Sequence, residues 1–124
     1  MDELFLKNLS DKLLPTFRYA GDLALKYRQV GLKETIKEDN TPVTNADIEI
    51  NDILTKNIEK LTPKIPIISE EVSKNKNLKN LSTFWLIDPI AGTYDYINNR
   101  SEFTLNAALI INKKPELGII HAPA

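Results

Sequence analysis

Leu6, Leu9, Leu13, Phe17, Ala20, Ala24 and Tyr27 follow one another at spacings of three and four. This is the stripe of an amphipathic helix, and it predicts one over residues 3–28. Pro15 lies inside the stripe and predicts a kink, or a split after Leu14, with Ser10-Asp11 as an alternative cap for a second start. Gly31 closes the pattern. A second stripe, Ile50, Ile53, Leu54, Ile58 and Leu61, predicts a helix over residues 45–61. Thr44 or Asn45 caps it, Asp47 and Glu49 sit in the first turn where the helix dipole favours acids, and Thr62-Pro63 stops it.

The rest of the chain changes period. Residues 33–37 are short and partly β-branched, a candidate strand, and 38–42 carry turn chemistry. Residues 65–69 form a short apolar run that reads as a buried strand delivering Glu70-Glu71, and 72–82 read as a polar surface loop. Phe84-Trp85-Leu86-Ile87 arrive at Asp88 as the end of a buried strand would, and Pro89 fixes the exit. Gly92 permits a tight turn, and Thr93 opens a short helix to about Asn98. Strands follow at 103–111 and 116–121, joined by a turn at 112–115. Helices first and hairpin strands later predict an α+β domain over residues 1–124, two N-terminal helices packed on a mostly antiparallel sheet.

Composition narrows the chemistry. Of 124 residues, 42% are hydrophobic and 27% charged, which describes a globular chain with a modest core. The net charge of −1 gives no footprint for a nucleic-acid polymer or an anionic membrane. No run has the apolar length of a membrane span, and the Met-Asp-Glu start lacks the basic residues of a signal peptide. With no cysteine and a single His121, thiolate nucleophiles, disulfides and cysteine-based zinc sites are excluded, which fits a reducing cytosol. Chemistry here must rest on carboxylates, hydroxyls and the backbone.

Acids begin or end three elements: Asp47, Glu70-Glu71 and Asp88. Acids so placed can converge, and hard divalent cations take several oxygens from such points. Asp47 alone reads as a dipole residue, and one of the glutamates as solvated. Asp88, wedged between apolar neighbours, should be partly buried and in need of a partner. The Gly92 and Thr93 N–H groups face an anion in the same geometry that would let Thr93 act as a cap. Lys113-Lys114 read as a solvated turn, Trp85 as core, and His121 as structural or exposed.

In this order and spacing the chain resembles the inositol monophosphatase superfamily of metal-dependent phosphatases. The resemblance is carried by Pro42-Val43-Thr44-Asn45-Ala46-Asp47, by Ser69-Glu70-Glu71, and by Trp85-Leu86-Ile87-Asp88-Pro89-Ile90-Ala91-Gly92-Thr93. Thr93-Tyr94-Asp95-Tyr96-Ile97, Glu102-Phe103-Thr104-Leu105-Asn106-Ala107-Ala108-Leu109-Ile110 and Gly118-Ile119-Ile120-His121-Ala122-Pro123 are similar to the CysQ branch, the 3′(2′),5′-bisphosphate nucleotidases.

The resemblance implies the first part of a layered αβαβα sugar-phosphatase fold, and Mg²⁺ as cofactor. It implies Glu70, Asp88 and the Ile90 carbonyl as metal ligands, with Asp47 and Thr93 orienting and deprotonating the attacking water. Gly92 and Thr93 N–H groups would hold the phosphate. The implied substrate is a small phosphomonoester, adenosine 3′,5′-bisphosphate, a by-product of sulfate assimilation, hydrolysed to AMP and phosphate. The implied location is cytoplasmic, peripheral to the inner membrane at most. Ala91 departs from the pattern: the family has an aspartate there that bridges metal sites. The family's C-terminal α/β domain, with its Trp-Asp metal segment, has no counterpart in these residues. The chain is therefore expected to be a truncated N-terminal domain, impaired or inactive by itself. The alternatives are a non-catalytic nucleotide- or Mg²⁺-binding module, a split enzyme lacking its C-terminal half, a self-associating form, or a decayed gene product.

Overall fold

A computed structural model describes residues 2–69 and 81–124. Helix α1 spans Glu3–Val30 and starts at Asp2, whose carboxylate accepts the Phe5 N–H at 2.8 Å. Leu9, Leu13, Phe17, Ala20 and Ala24 are its buried face, as the stripe predicts, with Leu6 and Tyr27 half-buried at its ends. The helix runs through Pro15 unbroken, so the predicted split at Leu14 does not occur. Pro15 is exposed, and so is Asp11, whose carbonyl loses its partner to the proline. Water can satisfy that carbonyl, and the helix continues.

Strands β1 (Glu34–Ile36) and β2 (Pro42–Thr44) pair antiparallel as a small separate hairpin. The sequence pattern predicts only the first of them, because a three-residue strand containing Pro42 carries almost no periodic signal. Thr44 is both the last residue of β2 and the N-cap of helix α2 (Asn45–Leu61).

The main sheet holds β3 (Ile67–Ser69), β4 (Phe84–Ala91), β5 (Thr104–Ile111) and β6 (Lys114–His121) in sequence order. β4–β5 and β5–β6 are antiparallel, and β3–β4 is parallel. Cross-strand rows face one way: Trp85, Leu109 and Leu117 form one, and Ile87, Ala107 and Ile119 the next. These residues meet the apolar faces of α1 and α2 in a single core. α2 lies over β3 and β4, and α1 over β6. Burial of the Trp85 ring leaves its indole N–H to be satisfied, and it donates to Thr62 Oγ1 at 3.0 Å, just past the end of α2.

Two boundaries differ from expectation. The β5–β6 turn needs only Asn112 and Lys113, both at positive φ (50° and 65°), so β6 begins at Lys114. Paired positive φ values are those of a type I′ hairpin turn, whose twist matches the strands. β4 also continues past Asp88 to Ala91 through a shift of register. Pro89 cannot donate to a ladder, and the irregularity absorbs it.

Candidate active site

Asp47 is the third residue of α2 and is fully buried. Its Oδ2 accepts the Thr44 N–H at 2.9 Å and the Thr44 hydroxyl at 2.6 Å. The Thr44 hydroxyl oxygen in turn accepts the Asp47 N–H at 3.2 Å. This reciprocal capping box settles the choice between Thr44 and Asn45 for the cap, and the Thr-x-x-Asp spacing was its signal in the sequence. Asn45 instead accepts the Lys33 N–H at 2.9 Å and ties the hairpin to the helix.

With Oδ2 committed to the cap, Asp47 points Oδ1 at Thr93, whose hydroxyl donates across 3.3 Å. The same hydroxyl lies 3.1 Å from the Ile90 carbonyl oxygen. Burial is the largest influence on Asp47 and pushes its carboxyl above the ordinary value, while the bonds from Thr44 and Thr93 pull the other way. Thr93 is only half-buried. Its hydroxyl joins the enclosed carboxylate to a half-buried position.

The β4 irregularity shapes the rest. Asp88 pairs with Asn106 and Ala91 with Thr104, and the residues between them bulge out of register. Asp88 is half-buried, as its flanking residues predict. Gly92 then takes φ 88°, ψ 43° and starts the five-residue helix α3 (Thr93–Ile97). A side chain at this position would place its Cβ 2.7 Å from the Glu102 carbonyl oxygen. No side chain caps the first turn of α3.

The structure thus brings Asp47, Thr93 and the Ile90 carbonyl together, with Gly92 beside them. Asp88 and Ala91 stand on the same bulge. Glu70 and Glu71 lie outside the described residues, as do positions 72–80 of the predicted loop. Two contacts escaped sequence reasoning. Asn51, one turn along α2 from Asp47, shares a hydrogen bond with Ser69, the residue before Glu70. Tyr96 and Arg28 join α3 to α1. Neither pair has a local pattern that would reveal it.

The sequence matches the inositol monophosphatase family over residues 9–124. The chain belongs to that family. It is similar to the 3′(2′),5′-bisphosphate nucleotidase CysQ of Buchnera aphidicola, 38% identical over 120 residues, which are 94% of this chain and 45% of the relative. It is also similar to the crystal structure of CysQ from Bacteroides thetaiotaomicron, with a TM-score of 0.68 and 27% identity over 98% of this chain and 44% of that one. An IMPase/NADP phosphatase solved with Mg²⁺ and phosphate shares the fold at a TM-score of 0.77 and 21% identity, over 94% of this chain and 44% of that one. The chain spans about half the length of the curated relatives it matches.

Members of the inositol monophosphatase family are metal-dependent phosphatases. Among the described residues no three acidic or histidine side chains converge on a point. The bulge carries the Asp88 carboxylate and the Ile90 carbonyl, and Ala91 has no side-chain oxygen. The described residues alone form no dedicated cage for a divalent cation. The donors are hard oxygens, however, and Mg²⁺ is commonly held by one or two carboxylates with water and a substrate phosphate. The set fits that sparser mode.

Proposed function

We propose that the chain forms part of a CysQ-like phosphomonoesterase site that takes adenosine 3′,5′-bisphosphate and yields AMP and phosphate. The observation that carries this reading is the Thr93 hydroxyl, poised between the Asp47 carboxylate and the Ile90 carbonyl at the head of an uncapped turn.

A hydroxyl has one proton and two lone pairs. With its proton on Asp47, the Thr93 oxygen can accept a proton from a water lying outside. Asp47 is enclosed, and the half-buried Thr93 would join it to that water. Its carboxyl, raised by burial, is a better base than a solvated aspartate. The Gly92 and Thr93 N–H groups would face the phosphate, since no side-chain cap takes up the start of α3. Asp88, the Ile90 carbonyl and Glu70 would hold Mg²⁺, which lowers the pKa of a bound water and neutralises developing charge on the phosphate. The cytoplasmic location belongs to this same reading.

Ala91 favours a second reading. A methyl group stands where the family resemblance calls for a bridging carboxylate, so divalent cations bind weakly and turnover by this chain alone is low or absent. The protein then acts as a binding form of the fold, or works with a companion half.

The test combines calorimetry with Mg²⁺ and phosphate release from adenosine 3′,5′-bisphosphate. Measurable Mg²⁺ binding that Asp88→Asn abolishes supports the site, and its absence from the unsubstituted chain overturns it. Turnover at an ordinary enzymatic rate, on the order of 1–10³ s⁻¹, overturns the impairment.

A further inference from the structure

Arg28, in the last turn of α1, reaches α3 and the segment that follows it. Its Nη1 donates to the Arg100 carbonyl oxygen at 2.6 Å and lies 3.4 Å from the Tyr96 carbonyl oxygen. Its guanidinium carbon sits 5.5 Å from the centre of the Tyr96 ring and 5.0 Å from that of Phe103. Carbonyls and ring faces take up this cation, and no carboxylate pairs with it among the described residues. The neighbouring Arg100 differs: it pairs with Asp95 at 3.1 Å.

The groups that Arg28 touches frame the phosphate-facing turn. Tyr96 is fully buried and belongs to α3, the helix that Gly92 and Thr93 begin. Its hydroxyl donates to the Ala24 carbonyl oxygen at 2.6 Å, one turn before Arg28 on α1. Its ring meets Phe103 edge to face at 4.8 Å. Phe103 and the Glu102 carbonyl are also what a Cβ at Gly92 would meet, so the bare glycine packs close to them. The path is closed: from Gly92 along α3 to Tyr96, across Arg28 to Phe103, and back to Gly92.

We propose that Arg28 is a positioning residue, a two-carbonyl clamp that fixes α3 against α1 and so sets the pose of the Gly92–Thr93 turn for phosphate. The phosphate part of this assignment rests on the proposed function above. The guanidinium is suited to it because one Nη1 reaches both carbonyls while the flat, delocalised cation lies against the rings. It also places positive charge at the carbonyl end of α3, where the helix dipole favours a cation. A lysine ammonium has the charge but not the planar group that lies against Tyr96 and Phe103.

Amide hydrogen exchange on the full chain tests the clamp without any activity. Tyr96, Asn98, Asn99 and Arg100 each donate a backbone N–H inside the clamped segment. In Arg28→Ala these four amides should exchange at least about 10-fold faster, while amides of β5 at Leu105 and Leu109 keep their protection. Arg28→Lys should not restore them. Unchanged exchange at the four amides, equal loss across the sheet, or full rescue by lysine overturns the clamp. A titration with inorganic phosphate and Mg²⁺, read from the Gly92 and Thr93 amide shifts, adds the functional arm. Arg28→Ala should weaken it several-fold, and an unchanged affinity overturns the positioning role. If the unsubstituted protein shows no phosphate shift there, the proposed function fails, and the exchange data still decide the clamp.

Discussion

Asp47 Oδ1 and the Thr93 hydroxyl stand 3.3 Å apart although 46 positions separate them in the chain. The capping box holds one and the Gly92 turn presents the other, so the contact measures how well two distant elements are set. Thr93→Val keeps the shape and removes the donor, leaving a buried carboxylate oxygen unsatisfied. The expected loss is about 1–3 kcal/mol in denaturant unfolding, with Thr93→Ser close to the unsubstituted protein. Equal stability of the valine variant would mean that the contact contributes nothing.

The raised carboxyl of Asp47 makes a pH prediction. The folded state holds this proton more tightly than the unfolded chain does. Below the unfolded value both states are protonated, and the contribution to stability is complete. As pH rises through the folded value it is lost, because the unfolded chain ionises first. Asp47→Asn removes this dependence. As pH rises above the ordinary aspartate value of 3.8, the unsubstituted protein should lose stability relative to Asp47→Asn, measured by urea unfolding at several pH values. A relative gain with rising pH would reverse the sign of the shift.

The parts of this arrangement were unequally legible in the sequence. The stripes of α1 and α2 have long periods to average over, and their buried residues are the predicted ones, Leu13, Phe17, Ile50 and Leu54 among them. Pro15 misled because sequence shows the proline but not that it faces water. The strand ending at Asp88 was visible as an apolar run, whereas the bulge that carries it on to Ala91 depends on pairing with β5. Thr93 and Asp47 could be nominated by motif, but their contact is set by tertiary packing. Arg28 and Tyr96 could not be nominated at all: an arginine bound to two carbonyls leaves no spacing to read.

Gly92 ties the turn to the strand beside it. Gly92→Ala asks an L-residue to hold φ 88° and drives a methyl to 2.7 Å from the Glu102 carbonyl oxygen. The left-handed conformation alone costs about 1–2 kcal/mol, and the clash is with backbone that cannot swing aside. A combined destabilisation of about 2–4 kcal/mol is expected from these two strains, read as a lower denaturation midpoint with an unchanged slope. A gain in stability, as at unstrained Gly→Ala sites, would show that the turn has another conformation available.

Core replacements should behave differently, since they leave the turn intact. Trp85 is the single tryptophan and is fully buried, with its N–H on Thr62. Trp85→Phe empties part of the site and removes the indole donor, while the Thr62 hydroxyl keeps its bond to the Ile58 carbonyl at 2.9 Å; the expected cost is about 1–3 kcal/mol. Phosphate and Mg²⁺ binding should persist wherever the variant is folded, because the bulge and the capping box are built from other residues.

Ala91→Asp asks whether this bulge accepts the carboxylate that the family resemblance places there. Ala91 is half-buried and shares the bulge with Asp88. Without a cation, two like charges on one bulge repel, so the variant should be less stable than the unsubstituted protein by about 0.5–1 kcal/mol. With Mg²⁺ the same pair gives a hard cation a second carboxylate, and affinity should rise at least about 10-fold. Stability should then climb with Mg²⁺ concentration, because an ion that binds only the folded state stabilises it by mass action. Calorimetry and thermal unfolding over a Mg²⁺ series provide both readouts. If affinity does not change while the fold is intact, the aspartate points away from Asp88, and Ala91 is no lost ligand.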